Sequence, residues 1–167
     1  MRSCSGLEAL FTSEYERLVS TLAIATGNID TARDIAQDAF VQAILHWQRI
    51  KNYESPEAWI WRVALNRAAN SRRNDRRRAG LILPIWRSMP ADRREDTYPT
   101  MERDPDLSHA IAQLSPRQRA VVALHYFADV PVCDIAAILE VSAGTVKSHL
   151  SDARHSLARR LGVRYGS

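Results

Sequence analysis

The chain has 167 residues, of which 46% are hydrophobic, with six Gly and seven Pro. This composition is typical of a globular protein and excludes a fibrous or wholly disordered chain. The formal net charge of +4 is unevenly distributed along the chain. Residues 51–80 contain eight basic and three acidic residues, and residues 107–167 contain seven basic and four acidic residues. The ranges 1–50 and 81–106 are slightly acidic. Two basic blocks on one chain predict two anion-binding surfaces.

Several classes of protein are disfavoured by what the sequence lacks. Cys4 and Cys133 are too few and too far apart for a disulfide framework or a CxxC metal site, and Cys133, which lies among apolar residues, is predicted to be buried. The sequence contains no run of about 18 apolar residues and no signal-peptide pattern, which predicts a cytoplasmic protein without membrane insertion. It also contains no Gly-rich phosphate loop, HExxH motif or G-x-S-x-G elbow. We therefore expect no enzyme activity, no metal and no cofactor.

Amphipathic helices are predicted from the start of the chain. Apolar residues recur at three- and four-residue steps from Leu7 to Ala25, and Gly27 is expected to end this first helix. Asp30 is predicted to cap the second helix. The broad apolar face of the second helix consists of Ala32, Ile35, Ala36, Ala39, Phe40, Ala43, Ile44 and Trp47.

Aromatic, amide and cationic side chains crowd together around the third predicted helix, which begins at Ser55-Pro56. The cluster consists of Tyr53, Trp59, Trp61, Arg62, Asn66 and Arg67. Such a set suits single-stranded DNA, because rings stack on bases, amides meet base edges and cations meet phosphates. We assign Trp59 mostly to the core and leave Trp61 open between core and surface. The Arg run that follows, Arg72, Arg73, Arg76, Arg77 and Arg78, favours phosphate contact over a merely solvated face.

The apolar periodicity fails between about 80 and 104, where Pro84, Pro90 and Pro99 indicate a flexible linker. The segment 81–86 is unusually apolar for a linker. Two interpretations of this segment remain open at the level of sequence: it packs on a neighbouring domain, or it forms a surface for a partner.

A helix-turn-helix is predicted in the last third of the chain. Ser115 and Gln118 form a capping box, and a short helix over 132–139 is followed by a turn at 140–142 and a longer helix from 143 to about 161. Val146, Leu150, Ala153 and Leu157 form one apolar stripe on the longer helix, with Ser142 as its cap. The opposite face is small and polar, which suits the major groove of DNA, although a plain helical hairpin with a solvated face has the same pattern.

Both ends of the chain resemble the sigma factors of bacterial RNA polymerase. Residues 114–158, with the stretches LSPRQR and GTVKSHL, resemble region 4 of that family, and residues 30–78, with DTARDIAQDAF and AWIWRVALN, resemble region 2. The resemblance lacks the sigma-1 and sigma-3 regions of primary sigma factors, which points to the extracytoplasmic-function group. It implies an all-α protein with a region 2 helical bundle in 1–79, a flexible linker in 80–104 and a region 4 helix-turn-helix domain in 105–167.

The resemblance also implies partners and site residues. Region 4 would read the −35 promoter element through Arg117, Arg119, Thr145, Lys147, Ser148, Ser151 and Arg154. Region 2 would melt the −10 element through Tyr53, Trp61, Arg62, Asn66, Arg67, Arg72 and Arg73. Core RNA polymerase, through its β′ clamp helices and β flap, is the implied protein partner, and the polymerase-binding residues would be Arg33, Asp34, Gln37, Asp38, Phe40, Val41 and Gln42. Duplex and single-stranded promoter DNA, an anti-sigma factor and a nucleoid-associated location in the cytoplasm are implied as well.

Three positions depart from the family pattern. Glu140 stands where a turn Gly is usual, which predicts a side chain in a strained turn. His149 and Asp152 stand where Arg is frequent, so an atypical −35 preference is expected. An autonomous helix-turn-helix regulator that acts without polymerase is the alternative function, and it leaves the cluster of aromatic residues and Asn66 without a role.

Overall fold

The computed structural model describes residues 5–79 and 104–163, and the regular structure in these ranges is helical without any strand. The elements are α1 (Ser5–Thr26), α2 (Ile29–Ile50), α3 (Pro56–Ala79), α4 (Pro105–Ala112), α5 (Pro116–Val122), a π-helical turn (Ala123–Phe127), α6 (Val132–Leu139) and α7 (Ala143–Leu161). The predicted all-α class is confirmed. The segment 81–86 lies outside the described residues, and so do the side chains of Arg72 and Arg73.

Local side-chain caps explain where the helices begin. The Ser115 and Gln118 capping box is confirmed, and so is Ser142, whose Oγ accepts from the Thr145 backbone N–H at 3.0 Å. The prediction that Asp30 caps α2 was wrong. Asn28 is the N-cap residue, and its side-chain oxygen accepts from the Thr31 backbone N–H. Asp30 instead lies in the first turn, where a carboxylate interacts favourably with the positive end of the helix dipole.

One hydrophobic core runs through both halves of the chain. Leu18 and Leu22 of α1 pack with the small residues Ala36 and Ala39 of α2, which allow the helices to approach closely. The same cluster continues into the C-terminal half through Val121, Leu124, Ile135 and Val146. Because α1 contacts α5 and the π-helical turn while α3 contacts α6, the two halves pack directly against each other. Their division into separately folding domains at 79 and 105 stays a prediction.

Two burial predictions were wrong, those for Ile44 and Cys133. Ile44 is 61% exposed although it was assigned to the core face of α2, because the buried face of that helix is narrow and runs through Ala39, Ala43 and Ile50. Trp61, whose position was left open, is buried at 3% exposure, whereas Trp59, which was assigned mostly to the core, packs against it but is only half-buried beside the His46 ring. Cys133 is exposed on α6, since Ile135 and Ile138 are the residues that face the core.

The helix-turn-helix has the predicted geometry. Glu140 ends α6 in the left-handed region at φ 55°, which a non-glycine residue adopts at a cost of about 1 kcal/mol or more. Val146, Leu150 and Ala153 form the buried stripe of α7, with Leu157 half-buried at its end. The polar face of α7 therefore points away from the core.

Candidate nucleic-acid interface

The outer face of α7 presents the side chains that the sequence predicted for duplex DNA. Lys147 and Ser148 are exposed, and Ser151 and Thr145 are half-buried. The Thr145 hydroxyl lies 2.9 Å from Ser142 Oγ, so it also belongs to the cap of the helix. A capped helix with a lysine and small hydroxyl residues over its first turns has the shape and chemistry of a major-groove reader.

The flank of α7 mixes cationic and acidic side chains. Arg154 is exposed and donates from Nη1 to Tyr126 Oη at 3.4 Å, which places the guanidinium beside the π-helical turn. Asp152 is exposed and His149 is half-buried, so the carboxylate belongs to the accessible surface of this helix. A carboxylate near phosphates is repulsive, whereas one at a base edge accepts a hydrogen bond from the cytosine amino group.

Two arginines on α5 that were both predicted for DNA have opposite environments. Arg117 is exposed, whereas Arg119 is 1% exposed and lies between the two halves. Arg119 donates to the main-chain oxygens of Ala25 at 3.0 Å and Leu114 at 2.8 Å, and its Nε finds no partner within the described part of the chain. Positions two apart on a helix differ by about 200°, so one faces outward and the other inward. Arg119 therefore does not reach a phosphate in this arrangement.

The α3 helix brings together only part of the predicted −10 cluster. Asn66 and Tyr53 are exposed, and Arg67 donates to Asp38 Oδ2 at 2.7 Å. Trp61 instead lies inside the protein, where its indole N–H donates to Glu14 Oε2 at 3.0 Å. Buried tryptophans commonly satisfy their N–H in this way, and a ring held there is not available to stack on a base.

Arg62 is occupied by the C-terminal half. Its Nε donates to the Ile138 oxygen at 3.0 Å, its Nη2 donates to the Ala137 oxygen at 2.9 Å, and its Nη1 lies 2.7 Å from Glu140 Oε1. All three guanidinium nitrogens of Arg62 therefore contact oxygen atoms at the C-terminal end of α6. The sequence could not indicate this contact, because it joins residues about 75 positions apart.

The predicted polymerase-binding residues form a mixed surface on α2. Arg33, Asp34, Gln37 and Asp38 are exposed, Val41 is 49% exposed and Gln42 is half-buried. Phe40 is 4% exposed, because its ring packs edge-on against Phe11 at a centroid distance of 5.0 Å. Phe40 therefore forms the floor of this surface and not its accessible part.

An apolar groove between α1 and α2 was missed at the level of sequence. It has a volume of about 620 Å³, and its walls include Phe11, Val41, Ile44 and Trp47 over the floor formed by Phe40. Phe11 and Ile44 are 45% and 61% exposed. The signal was the apolar character of α2 on more than one side, which is unusual for a helix that buries a single face. Exposed apolar grooves of this kind commonly bind another protein.

Within 5–79 and 104–163, no cluster of His, Cys, Asp or Glu has the arrangement of a metal site. None of the helices in these ranges is both long and apolar enough to cross a membrane.

Models of known protein families match both halves of the chain. Residues 10–78 match the model described as Sigma-70 region 2, and residues 106–157 match the model described as Sigma-70, region 4. The chain is 30% identical over 142 residues to the ECF RNA polymerase sigma factor SigL of Mycobacterium tuberculosis, covering 83% of this chain and 80% of that protein. It is 31% identical over 134 residues to the RNA polymerase sigma-E factor of Streptomyces antibioticus, covering 80% and 72%.

Two solved structures share the fold. The sigma factor RpoE, solved with the anti-sigma factor NepR from Bartonella quintana, superposes with a TM-score of 0.71 at 22% identity and covers 96% of this chain and 99% of that one. CnrH, solved with the cytosolic domain of CnrY, has a TM-score of 0.64 at 20% identity, covering 95% and 89%.

The difference in burial between Arg117 and Arg119 can be tested by the effect of each side chain on stability. We expect Arg119→Ala to lower the free energy of unfolding by about 2 kcal/mol, because buried main-chain carbonyls lose their donors. Arg117→Ala is the matched control on the same helix, and its effect on stability should stay within about 0.5 kcal/mol. Urea unfolding followed by circular dichroism measures both. Equal stability of the two variants would contradict the buried role of Arg119.

Proposed function

The chain belongs to the extracytoplasmic-function sigma factors, and from this premise we propose that α7 reads the −35 element while the exposed face of α3 holds the melted −10 strand. A sigma factor of this group directs core RNA polymerase to promoters. The observation that carries the proposal is the presence of two outward-facing sets of DNA-compatible side chains, one in each half: Lys147 and Ser148 on α7, and Asn66 near Tyr53 in the N-terminal half.

The −35 assignment is supported by the exposure of Lys147, Ser148 and Arg154 and by the cap that fixes the start of α7. Arg117 adds a cation at the start of α5. In this proposal Lys147 meets a base edge, whereas Arg117 and Arg154 hold phosphates. Arg119 supports the reader from inside the fold.

The −10 assignment relies on stacking and on capture of an unpaired base. Tyr53 offers an exposed ring and Asn66 an exposed amide, and Arg67 is half-buried within reach of solvent. The Arg run that includes Arg72 and Arg73 adds cations for the backbone of the melted strand. Trp61 contributes by fixing α3 against α1.

Core polymerase docks, in this proposal, on α2. Gln37 lines the apolar groove together with Val41 and Ile44, and the polar residues Arg33 and Asp34 are exposed nearer the start of α2. An apolar centre with a polar rim is the usual composition of a protein interface. The groove extends the polymerase-binding surface beyond the residues that the family pattern indicated.

We infer that the protein acts by binding and not by catalysis, since promoter opening uses the energy of stacking and of strand capture. Its polymerase and DNA partners place its action in the cytoplasm, at the nucleoid. Both structural relatives were solved with a protein partner, which is the anti-sigma factor NepR for RpoE and the cytosolic domain of CnrY for CnrH. By analogy, an anti-sigma factor is proposed as a partner of this chain.

Reconstitution tests the function directly. Mixed with core polymerase that lacks a sigma factor, the protein should support run-off transcription from a promoter library, and the transcribed templates should share two sequence elements. Failure to bind core together with failure to select any template would contradict the proposal. Tight binding of duplex operators by the protein alone would then support an autonomous regulator.

Lys147→Ala should weaken −35 recognition without loss of folding. The lost base contact is expected to reduce discrimination between the selected −35 sequence and a substituted one by about 1–3 kcal/mol. Arg159→Ala is the matched control, because Arg159 is an exposed cation in the last turn of the same helix. Run-off transcription from paired templates measures the difference. Equal discrimination by both variants would exclude Lys147 as a base reader.

The groove on α2 generates a separate expectation for polymerase binding. Ile44→Glu places a charge on an apolar wall, so affinity for core polymerase should fall at least about tenfold, the effect of about 1.4 kcal/mol. The free energy of unfolding should change little, because this side chain is largely exposed. Ser13→Glu, an equal charge change at an exposed position of α1 that does not line the groove, should leave core affinity unchanged. Fluorescence anisotropy of labelled protein titrated with core measures both, and an unimpaired Ile44→Glu variant would contradict docking at the groove.

A further inference from the structure

Asp152 places a carboxylate on the polar side of α7. Its side chain is exposed in the third turn of that helix, whereas the neighbouring Leu150 and Ala153 are buried. Residues advance by about 100° each along an α-helix, so Asp152 lies one turn after the exposed Ser148 and only about 40° around the helix from it. Asp152 therefore belongs to the face of α7 that we propose to read duplex DNA.

The protein does not neutralise this carboxylate. Among the described residues, 5–79 and 104–163, Asp152 forms no hydrogen bond and no ion pair. The nearby polar groups of α7 have other contacts: His155 Nδ1 lies 2.8 Å from the Ser151 main-chain oxygen, and Arg154, on the opposite side of the helix, donates to Tyr126 Oη at 3.4 Å. The negative charge of Asp152 thus faces the solvent uncompensated.

The chemistry of a carboxylate restricts what it can bind on DNA. An ionised carboxylate only accepts hydrogen bonds, and the phosphates of a duplex repel it. Asp152 can therefore favour binding only where a base edge offers a donor. In the major groove, cytosine offers its N4 amino group and adenine its N6 amino group beside the acceptor N7, whereas guanine and thymine offer only acceptors. A carboxylate consequently favours cytosine, accepts adenine less well and disfavours guanine and thymine.

The shape of α7 allows such a short side chain to reach a base edge. The neighbours of Asp152 on the polar face are small, namely Gly144, Ser148 and Ser151. A side chain added at Gly144 would meet nothing closer than Ser142 Oγ at 3.6 Å, so the first turn of the face is open. Because little projects from this face, the helix backbone can approach the floor of the groove closely.

We propose that Asp152 is a specificity-determining residue, which selects cytosine at one position of the −35 element by accepting a hydrogen bond from the N4 amino group. It also acts against guanine and thymine, whose acceptor atoms would face its charge. The proposal rests on the assignment of α7 to the −35 element. It adds a residue that reads DNA by acceptance to a helix whose cations read it by donation.

The position of the selected base follows from the geometry of the helix. Asp152 lies five residues after Lys147, which is about 7.5 Å along the helix axis. Base pairs are stacked about 3.4 Å apart, so the two side chains should read positions about two base pairs apart. Lysine favours the acceptors of guanine. The two residues thus impose opposite hydrogen-bonding requirements on neighbouring positions.

Selection of transcribed templates from a library with a randomised −35 element tests the proposal. The full chain assembled with core polymerase should select cytosine, on one of the two strands, about two base pairs from the position that loses its preference in Lys147→Ala. In Asp152→Ala the preference for cytosine should fall at least about fivefold, while preferences at the other positions persist. The Tm should be unchanged, because the substituted side chain is exposed and unpaired in the described structure.

Asp152→Asn gives a second, directional result. An amide presents an acceptor and a donor together, which suits N7 and N6 of adenine, so the preference at this position should change from cytosine to adenine. Asp106→Asn is the matched control, since it makes the same change at an exposed carboxylate beside Arg160, near the other end of α7. This control should keep the preference for cytosine.

Two outcomes would overturn the proposal. One is a uniform gain in affinity for all templates in Asp152→Ala with unchanged base preferences, which would show that Asp152 faces phosphates. The other is a preference for guanine or thymine that depends on Asp152. If the unsubstituted chain shows no −35 preference at any position, the assignment of α7 fails together with the role of Asp152, so the two failures are distinguishable.

Discussion

Guanidinium groups that donate to main-chain carbonyls hold the two halves of this protein together. Arg17, Arg62 and Arg119 each bridge from one half to the other, and an arginine offers five N–H donors in a rigid fork that can serve several carbonyls at once. The shared apolar core supplies contact area without direction. The arginine contacts are directional, so they fix how the C-terminal half is oriented against α1 and α3.

This use of arginine changes how the basic charge of the chain is interpreted. The net charge of +4 and the two basic blocks indicate affinity for DNA, but the cations are not equivalent. Arg62 and Arg119 donate within the protein and Arg67 is paired with Asp38, whereas the side chains of Lys147 and Arg117 are exposed. Because affinity for DNA depends on the cations that neutralise phosphates, the binding strength of the chain depends on which of its cations face outward as well as on how many it has.

Helix α2 shows how one element serves both the fold and a partner. Its small inner residues, such as Ala36 and Ala39, allow tight packing of the bundle. Its outer side keeps Val41, Ile44 and Leu45 in solvent, where they serve no purpose in the fold of the described residues. Exposed apolar area is unfavourable for a free protein, and it is explained when a partner covers it for part of the working cycle.

Sequence alone determined much of this protein, because its strongest signals are local. Capping at Ser115 and Ser142, the stripe of Val146 and Leu150 and the turn at Glu140 depend on neighbours within one or two helical turns, and the motifs of regions 2 and 4 carried the family. Only the tertiary structure decided which of two nearby side chains faces inward. It buried Trp61 and not Trp59, turned Arg119 inward and Arg117 outward, and exposed Cys133 and Ile44. These outcomes depend on where the second half packs against the first, and the bonds from Arg62 to α6 join parts of the chain whose separation in sequence leaves no periodic signal.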